Sequence, residues 1–335
     1  MKKIKLIAET AWHHDGDYKF MERLVNDILQ KTKLDALKMH IILDVDEYMN
    51  LSHTTYNDTK NKMFSEELWS DLIKQVKNND KDLMLLYNDT KAIEFGAQFE
   101  PSLVEIHSVC LNDIFLLDVL KNNISSYTHV VFGVGGSTLN EIEYAINRIQ
   151  HHNIVLMFGF QNFPTHYENV NFRKMQRVMN LFPEFSYGYA DHTAWDEPNN
   201  ILITLLGASL GMNYVEKHVT NVYGEERLDW NSAISIDMFN EVAEKLNILS
   251  KCRGDGLIKL NKGEKEYSIY GPMKKAAVLR QDVKKGEMLT MDIIQFQRTE
   301  ETTDLSQLEI IKRFGYKIVN DLNAGTVLYS KHLKQ

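Results

Sequence analysis

Along roughly the first 250 residues, short apolar and β-branched runs alternate with longer stretches whose apolar positions recur three and four apart. The short runs predict strands at 4–10, 36–42, 82–87, 103–108, 129–134, 154–160, 185–190 and 214–219. The longer stretches predict amphipathic helices over 20–30, 68–77, 114–123, 139–150, 199–211 and 238–251. Strands that alternate with helices form a parallel sheet, because each connection must cross back over one face. Eight such units in about 250 residues favour an α/β fold of the closed (β/α)₈ TIM-barrel kind. The alternative is an open doubly wound sheet, but no G-x-G-x-x-G follows the first strand.

The pattern changes after Lys251. The segment CRGDGLIKLNKGEKEYSIYGPMKK is rich in Gly, Lys and acidic residues and reads as a linker. Beyond it, DVKKGEMLTMDII and DLNAGTVLYSKHL each set a polar turn with Gly ahead of a short apolar run. The expected organisation is a catalytic barrel over 1–255, a linker over 256–273, and a small β-rich domain with internal pseudo-symmetry over 274–335.

Composition excludes several functions. The 335 residues carry a formal charge of −8, and Lys and Arg form no basic run or basic–aromatic stripe, so a nucleic-acid partner is not expected. The two cysteines, Cys110 and Cys252, support neither a disulfide framework nor a Cys-x-x-Cys metal site. The opening MKKIKLIAET reads as a first strand and not as a signal peptide. No apolar run approaches the roughly 20 residues of a membrane helix. A cytoplasmic protein with no membrane partner is expected.

Reactive side chains of a barrel gather at the C-terminal ends of its strands. Glu9 ends the first strand, where it is either a general acid or base or a rim carboxylate. His192 follows the seventh strand and His218 lies in the eighth, so two imidazoles from neighbouring strands are within reach of one divalent ion. The alternative is a hydrogen-bonded pair with no ion. Lys38 ends the second strand, to pair with a substrate anion or to form a salt bridge in the barrel. His13 and His14 share a polar loop and are either a metal-binding pair or loop-holding residues; as sequence neighbours they diverge, so at least one is expected to hold the loop. Asp229 follows the eighth strand, placed either over the barrel mouth as an acid or base, or in solvent.

These segments together resemble the sialic acid synthase family. IAETAWHHDGD is similar to that family's I-A-E-x-G-x-N-H-N-G, YADHT to its Y-S-D-H-T, and GASLGMNYVEKHVT to its L-G-A-x-x-I-E-K-H-F-T. FPT with Tyr167 and Glu168 echoes its Y-P-T-P-Y-E, and the C-terminal stretch resembles its antifreeze-like (SAF) domain. The resemblance implies condensation of phosphoenolpyruvate with an N-acetylated amino-hexose aldehyde, giving a nonulosonic acid and phosphate. It implies that His192 and His218 hold Mn²⁺ or Mg²⁺, and that Glu9 stands near the reacting centre. Lys38 and Ser108 would hold phosphoenolpyruvate, Gln161 would supply an amide, and Asp229 would match the acid of the family's D-H-x-A-S. Arg298 matches an arginine that such enzymes insert into a partner's sugar site, which implies a domain-swapped homodimer.

Departures fall where the family binds phosphate. Its K-I-x-S reads Glu105-Ile106-His107-Ser108, with Cys110 where an acid is usual just beyond; its S-T-G-M reads Gly133-Val134-Gly135-Gly136, and the Ser of Y-S-D-H-T is Ala190. A charge-assisted contact to phosphate contributes about 1.5–3 kcal/mol. Two further readings therefore stand beside the first: a barrel lyase or aldolase with a non-phosphorylated donor, and a non-catalytic sugar-binding relative. Acceptor choice would lie in loops such as 44–62.

Overall fold

A computed structural model of the chain describes residues 3–159 and 162–335. Eight parallel strands run in chain order: β1 (Lys5–Glu9), β2 (Ala36–Ile41), β3 (Asp82–Tyr87), β4 (Leu103–Ile106), β5 (His129–Gly133), β6 (Ile154–Phe158), β7 (Ser186–Ala190) and β8 (Tyr214–Thr220). Each pairs with the next, and β1 pairs with β8, so the sheet closes into a TIM barrel. A two-residue strand, β9 (Ile234–Ser235), adds to β8 beyond the barrel.

Side chains alternate across each strand, with a period of two. One set fills the barrel interior: Ile7, Ala36, Met84, Leu103, Val131, Val155, Met157, Ala190 and Tyr214 pack as one buried cluster. The opposite set, with Leu6, Leu37, Leu85, Val104 and Leu156, packs against the helices in a larger core. Both faces of these strands are therefore dry, which is why the strands read as near-continuous apolar runs.

The sequence pattern misses two barrel helices. Thr90–Ala97 is short and is started by Asp89, whose side chain accepts from the Ala92 N–H. Phe172–Leu181 buries Met175 and Val178, with Phe172 and Met179 packed partly buried against the same core. The 44–62 loop carries helices Val45–Tyr48 and Tyr56–Lys62. The stretch read as linker is partly helical: Ile236–Arg253 runs on through Arg253, and Asn261 caps Lys262–Tyr267 in a capping box with Glu264.

The chain divides into two compact units, Met1–Asp255 and Gly256–Gln335. The second is small, with hairpin pairings Ala276–Leu279 to Ile294–Gln297 and Lys317–Ile318 to Leu333–Lys334 around its own apolar core. Its two similar phrases obey one internal two-fold relation. Val283 and Leu322 exchange N–H···O bonds of 2.9 and 3.0 Å. Gly286 N–H donates to Ile318 O, and Gly325 N–H to Leu279 O, both at 2.8 Å. Asp282 accepts from Ala324 N–H, while Asp321 accepts from Lys285 N–H. Both glycines have φ near +90° (93° and 85°), which explains Gly at both turns. Among the described residues no helix is long and apolar enough to cross a membrane.

Candidate active site

At the C-terminal ends of the strands the barrel interior turns from apolar to polar and encloses a cavity of about 290 Å³. Its wall includes Glu9, Lys38, Glu105, His192, Glu216, His218 and Asp229. Glu9 is in register with His218 across the β1–β8 seam, so barrel closure sets the two side by side. His218 Nε2 lies 3.3 Å from Glu9 Oε2. His192, two residues beyond β7, completes the group: ligating atoms of Glu9, His192 and His218 all lie within 4.8 Å of one another, and all three residues are buried. The His192 and His218 rings meet edge-on with centroids 4.9 Å apart.

Orientation and charge state suit a metal. His192 Nδ1 lies 3.0 Å from Gly159 O; with Nδ1–H as the donor, Nε2 carries the lone pair. Burial and the neighbouring His218 hold His192 neutral, at about 3. Burial opposes ionisation of Glu9, but Lys38 and His218 outweigh it and hold the carboxyl well below the usual range. Glu9 is thus a carboxylate at neutral pH, equipped as a base or ligand and not as an acid. Burial pushes Asp229 the other way, upward, and its carboxylate accepts the Trp12 N–H at 3.0 Å. Asp229 lines the cavity, in place of the solvated position that the sequence left open.

Lys38 forms the floor. Its ammonium stands 2.7 Å from Glu105, 2.9 Å from Glu216 and 3.3 Å from Glu9. Burial disfavours the charge on Lys38, yet these carboxylates hold it protonated. Burial raises Glu105, and raises Glu216 strongly. Of the two readings of Lys38, the structure displays the salt-bridged one. A substrate phosphate would have to displace a carboxylate to reach this ammonium.

Sequence comparison bears on what this cavity is. The NeuB family profile matches residues 29–257, more than half of the chain. The chain belongs to the NeuB family. An N,N'-diacetyllegionaminic acid synthase of Campylobacter jejuni is 25% identical over 311 residues, covering 87% of this chain and 89% of that protein. The fold agrees with a Chromobacterium violaceum protein provisionally assigned as spore coat polysaccharide biosynthesis protein E (17% identity, TM-score 0.79, covering 99% of this chain and 100% of that one). It also agrees with an N-acetylneuraminic acid synthetase of Leptospira borgpetersenii (20% identity, TM-score 0.70, covering 79% and 90%). This NeuB family member is accordingly an enzyme of the sialic acid synthase type.

Measured against that family's phosphate-binding phrases, two departures are physically linked. A Cβ on Gly133 would stand 3.0 Å from Ser108 N and 3.4 Å from Glu105 Oε1, so a serine there would crowd the glutamate that replaces lysine. Ser108 does line the cavity, at the start of a 3₁₀ turn, Ser108–Cys110. Gln161 lies outside the described residues. Arg298 belongs to the second unit, is exposed, and donates through Nε to Pro272 O at 2.7 Å.

The sequence reading overlooked Glu216 and His40. The available signal was alternation: counting back by two from His218 gives Glu216, and forward from Lys38 gives His40, both on the cavity wall. It also overlooked the Asp191–Lys217 pair, 3.1 Å apart and fully buried, which ties D-H-T to E-K-H. Asn200 Oδ1 receives the same ammonium at 2.8 Å. Gly159 yields a first prediction. Its φ is +146°, and a Cβ there would collide with the Ala190 carbonyl. Gly159→Ala should displace the carbonyl that orients His192 and weaken Mn²⁺ binding about 10–100-fold, measured by titration calorimetry. Wild-type affinity would remove Gly159 from the site's support.

Proposed function

We propose that the protein condenses phosphoenolpyruvate with the open-chain aldehyde of an N-acetylated amino-hexose, giving a nonulosonic acid and phosphate, with His192 and His218 holding Mn²⁺ or Mg²⁺. The observation that supports this most is the buried Glu9–His192–His218 group at the C-terminal mouth of the barrel. Two imidazoles and a carboxylate suit a hard or borderline divalent ion, and His218 Nδ1 is a buried atom with no hydrogen-bond partner of its own. When bound, the ion supplies a Lewis acid for the aldehyde oxygen.

The residues then divide the remaining work. C3 of the enol donor bonds to the aldehyde carbon, water adds at C2, and the C2–O bond to phosphate breaks. Glu9, ionised and beside the reacting centre, orients the water and takes its proton. Asp229, on the cavity wall, is placed to pass a proton to the alkoxide formed at the aldehyde oxygen. Phe163, its ring 5.6 Å from His192 and 5.9 Å from His218, helps keep the group dry. The partner subunit's Arg298, in a domain-swapped dimer with an antifreeze-like C-terminal module, and a cytoplasmic setting belong to the same proposal.

One observation favours a second reading, in which the donor carries no phosphate: the floor ammonium is already met by three carboxylates. A single assay separates the two. The protein is incubated with Mn²⁺, a panel of N-acetylated and diamino hexoses, and either phosphoenolpyruvate or pyruvate. Phosphate release and sugar-acid mass are both recorded. Stoichiometric phosphate and sugar acid with phosphoenolpyruvate support the first reading. Sugar acid from pyruvate alone overturns it in favour of the second, and no sugar acid from any combination counts against both.

A further inference from the structure

We propose that the buried Asp191–Lys217 ion pair is a positioning device for the metal site: it pins the end of β7 to β8 one residue ahead of each histidine and so sets the spacing of His192 and His218. This rests on the reading that the two histidines hold a divalent ion. The ladder between the strands pairs Gly188 with Tyr214, Tyr189 with Val215 and Ala190 with Glu216. Asp191 N–H carries it one step further, to Glu216 O at 3.1 Å. β7 itself ends at Ala190, so His192 stands beyond the strand. What holds it there is the Asp191 carboxylate. Its Oδ1 accepts the Thr193 N–H at 3.0 Å and the Thr193 hydroxyl at 2.6 Å, closing a turn around His192. Its Oδ2 accepts the Thr204 hydroxyl and, at 3.1 Å, the Lys217 ammonium.

Neighbours on a strand point to opposite faces. His218 points into the cavity, so Lys217 points outward, where it meets the first residue of the helix Asn200–Ser209. Asn200 completes the frame. Its Oδ1 accepts from Lys217 Nζ at 2.8 Å, and its Nδ2 donates to Thr193 O and Ala194 O, both at 2.9 Å. The neighbour of one histidine is thereby bonded to the loop that carries the other. Asp191, Thr193, Asn200, Thr204 and Lys217 are all buried. A buried ion pair is a poor device for stability alone, because apolar side chains of similar size often serve as well. Its advantage is direction: the strand ends cannot slide or splay without stranding a charge. The pair lies on the outer face of the barrel, so it acts through the two histidines and not on the reacting atoms.

The test compares wild type with the neutral double variant Asp191→Asn/Lys217→Met, with Asn200→Ala, and with Leu85→Ala, a cavity in the helix-facing core that serves as a stability control. Mn²⁺ affinity is measured by competition with a chromogenic chelator, coordination by the absorption bands of bound Co²⁺, and folding by thermal melts. ¹⁵N NMR of the metal-free protein follows the His192 ring. The double variant should lose about 10–100-fold in Mn²⁺ affinity and shift the Co²⁺ bands. Asn200→Ala, which cuts the frame without stranding a charge, should lose affinity by a smaller factor. Leu85→Ala should melt lower and bind Mn²⁺ as wild type does. The inference is overturned if the folded double variant, or Asn200→Ala where the double variant does not fold, matches wild type in affinity and bands. It is equally overturned if Leu85→Ala loses as much affinity. A wild type that binds neither ion sinks the metal reading instead. The NMR arm then decides: release of the His192 Nδ1–H from Gly159 O in the variants supports the positioning role, and an unchanged ring overturns it.

Discussion

His192→Ala and His218→Ala, each alone, should abolish measurable Mn²⁺ binding and lower turnover at least about 10³-fold while leaving the barrel folded. The scale follows from the chemistry: Lewis-acid activation of a carbonyl contributes several kcal/mol at the transition state, and each 1.36 kcal/mol is a factor of ten. The fold should survive because both rings sit at the polar mouth, above the apolar layer formed by Ile7, Ala36, Met84, Leu103, Val131 and Val155. His192 and His218 enter the site from consecutive strand ends, and with Glu9 they form the one group among the described residues that could hold an ion. Titration calorimetry with Mn²⁺ and a product assay check both halves. Wild-type metal affinity in either variant ends the claim that these two imidazoles share an ion.

Lys38→Met should cost about 3–5 kcal/mol, because it strands three buried carboxylates around an apolar side chain. For a domain of this size that is a fall in melting temperature on the order of 10 °C. The pH dependence should also change, through Glu9. In the wild type, Lys38 and His218 hold Glu9 well below the ordinary glutamate value, against burial. That contribution to stability is present above the unfolded value near 4.5 and is lost as the pH falls through the folded one. Without the ammonium, Glu9 loses the largest charge that holds it down and rises toward Glu105 and Glu216, which burial already raises in the wild type, so the folded variant binds more protons than the folded wild type. Stability of the variant relative to the wild type should then increase as the pH is lowered from 7 toward 5. Adding Glu105→Gln should recover part of the loss, since it removes one stranded acid, and a double-mutant cycle of melts at several pH values measures the coupling. An additive cycle, or a variant as stable as wild type at pH 7, would show that the cluster is not held by Lys38.

Much of the molecule was legible from local pattern. All eight barrel strands fall within a residue or two of their expected positions, the largest differences being β4 and β6, which stop two residues early at Ile106 and Phe158. Parallel strands buried on both faces must be apolar and β-branched, and that requirement is written in each strand separately. Y-A-D-H-T and E-K-H-V-T marked His192 and His218, which the structure brings together with Glu9. The helix Phe172–Leu181 was missed although Phe172, Met175, Val178 and Met179 keep helical spacing on the side that packs against the core.

The amino-acid sequence by itself determined the alternation of strands and helices, the strand-end histidines and the family. Only the tertiary structure decided what surrounds them. Glu9, Lys38, Glu105 and Glu216 come from β1, β2, β4 and β8, and no local signal shows that they converge. Closing the sheet puts β1 against β8 and makes one shared floor of four distant residues, so Lys38 is met by carboxylates where its sequence context left a substrate anion and a barrel salt bridge both open. A side chain's burial is set by its own strand, but its charge environment is set by every strand around the ring.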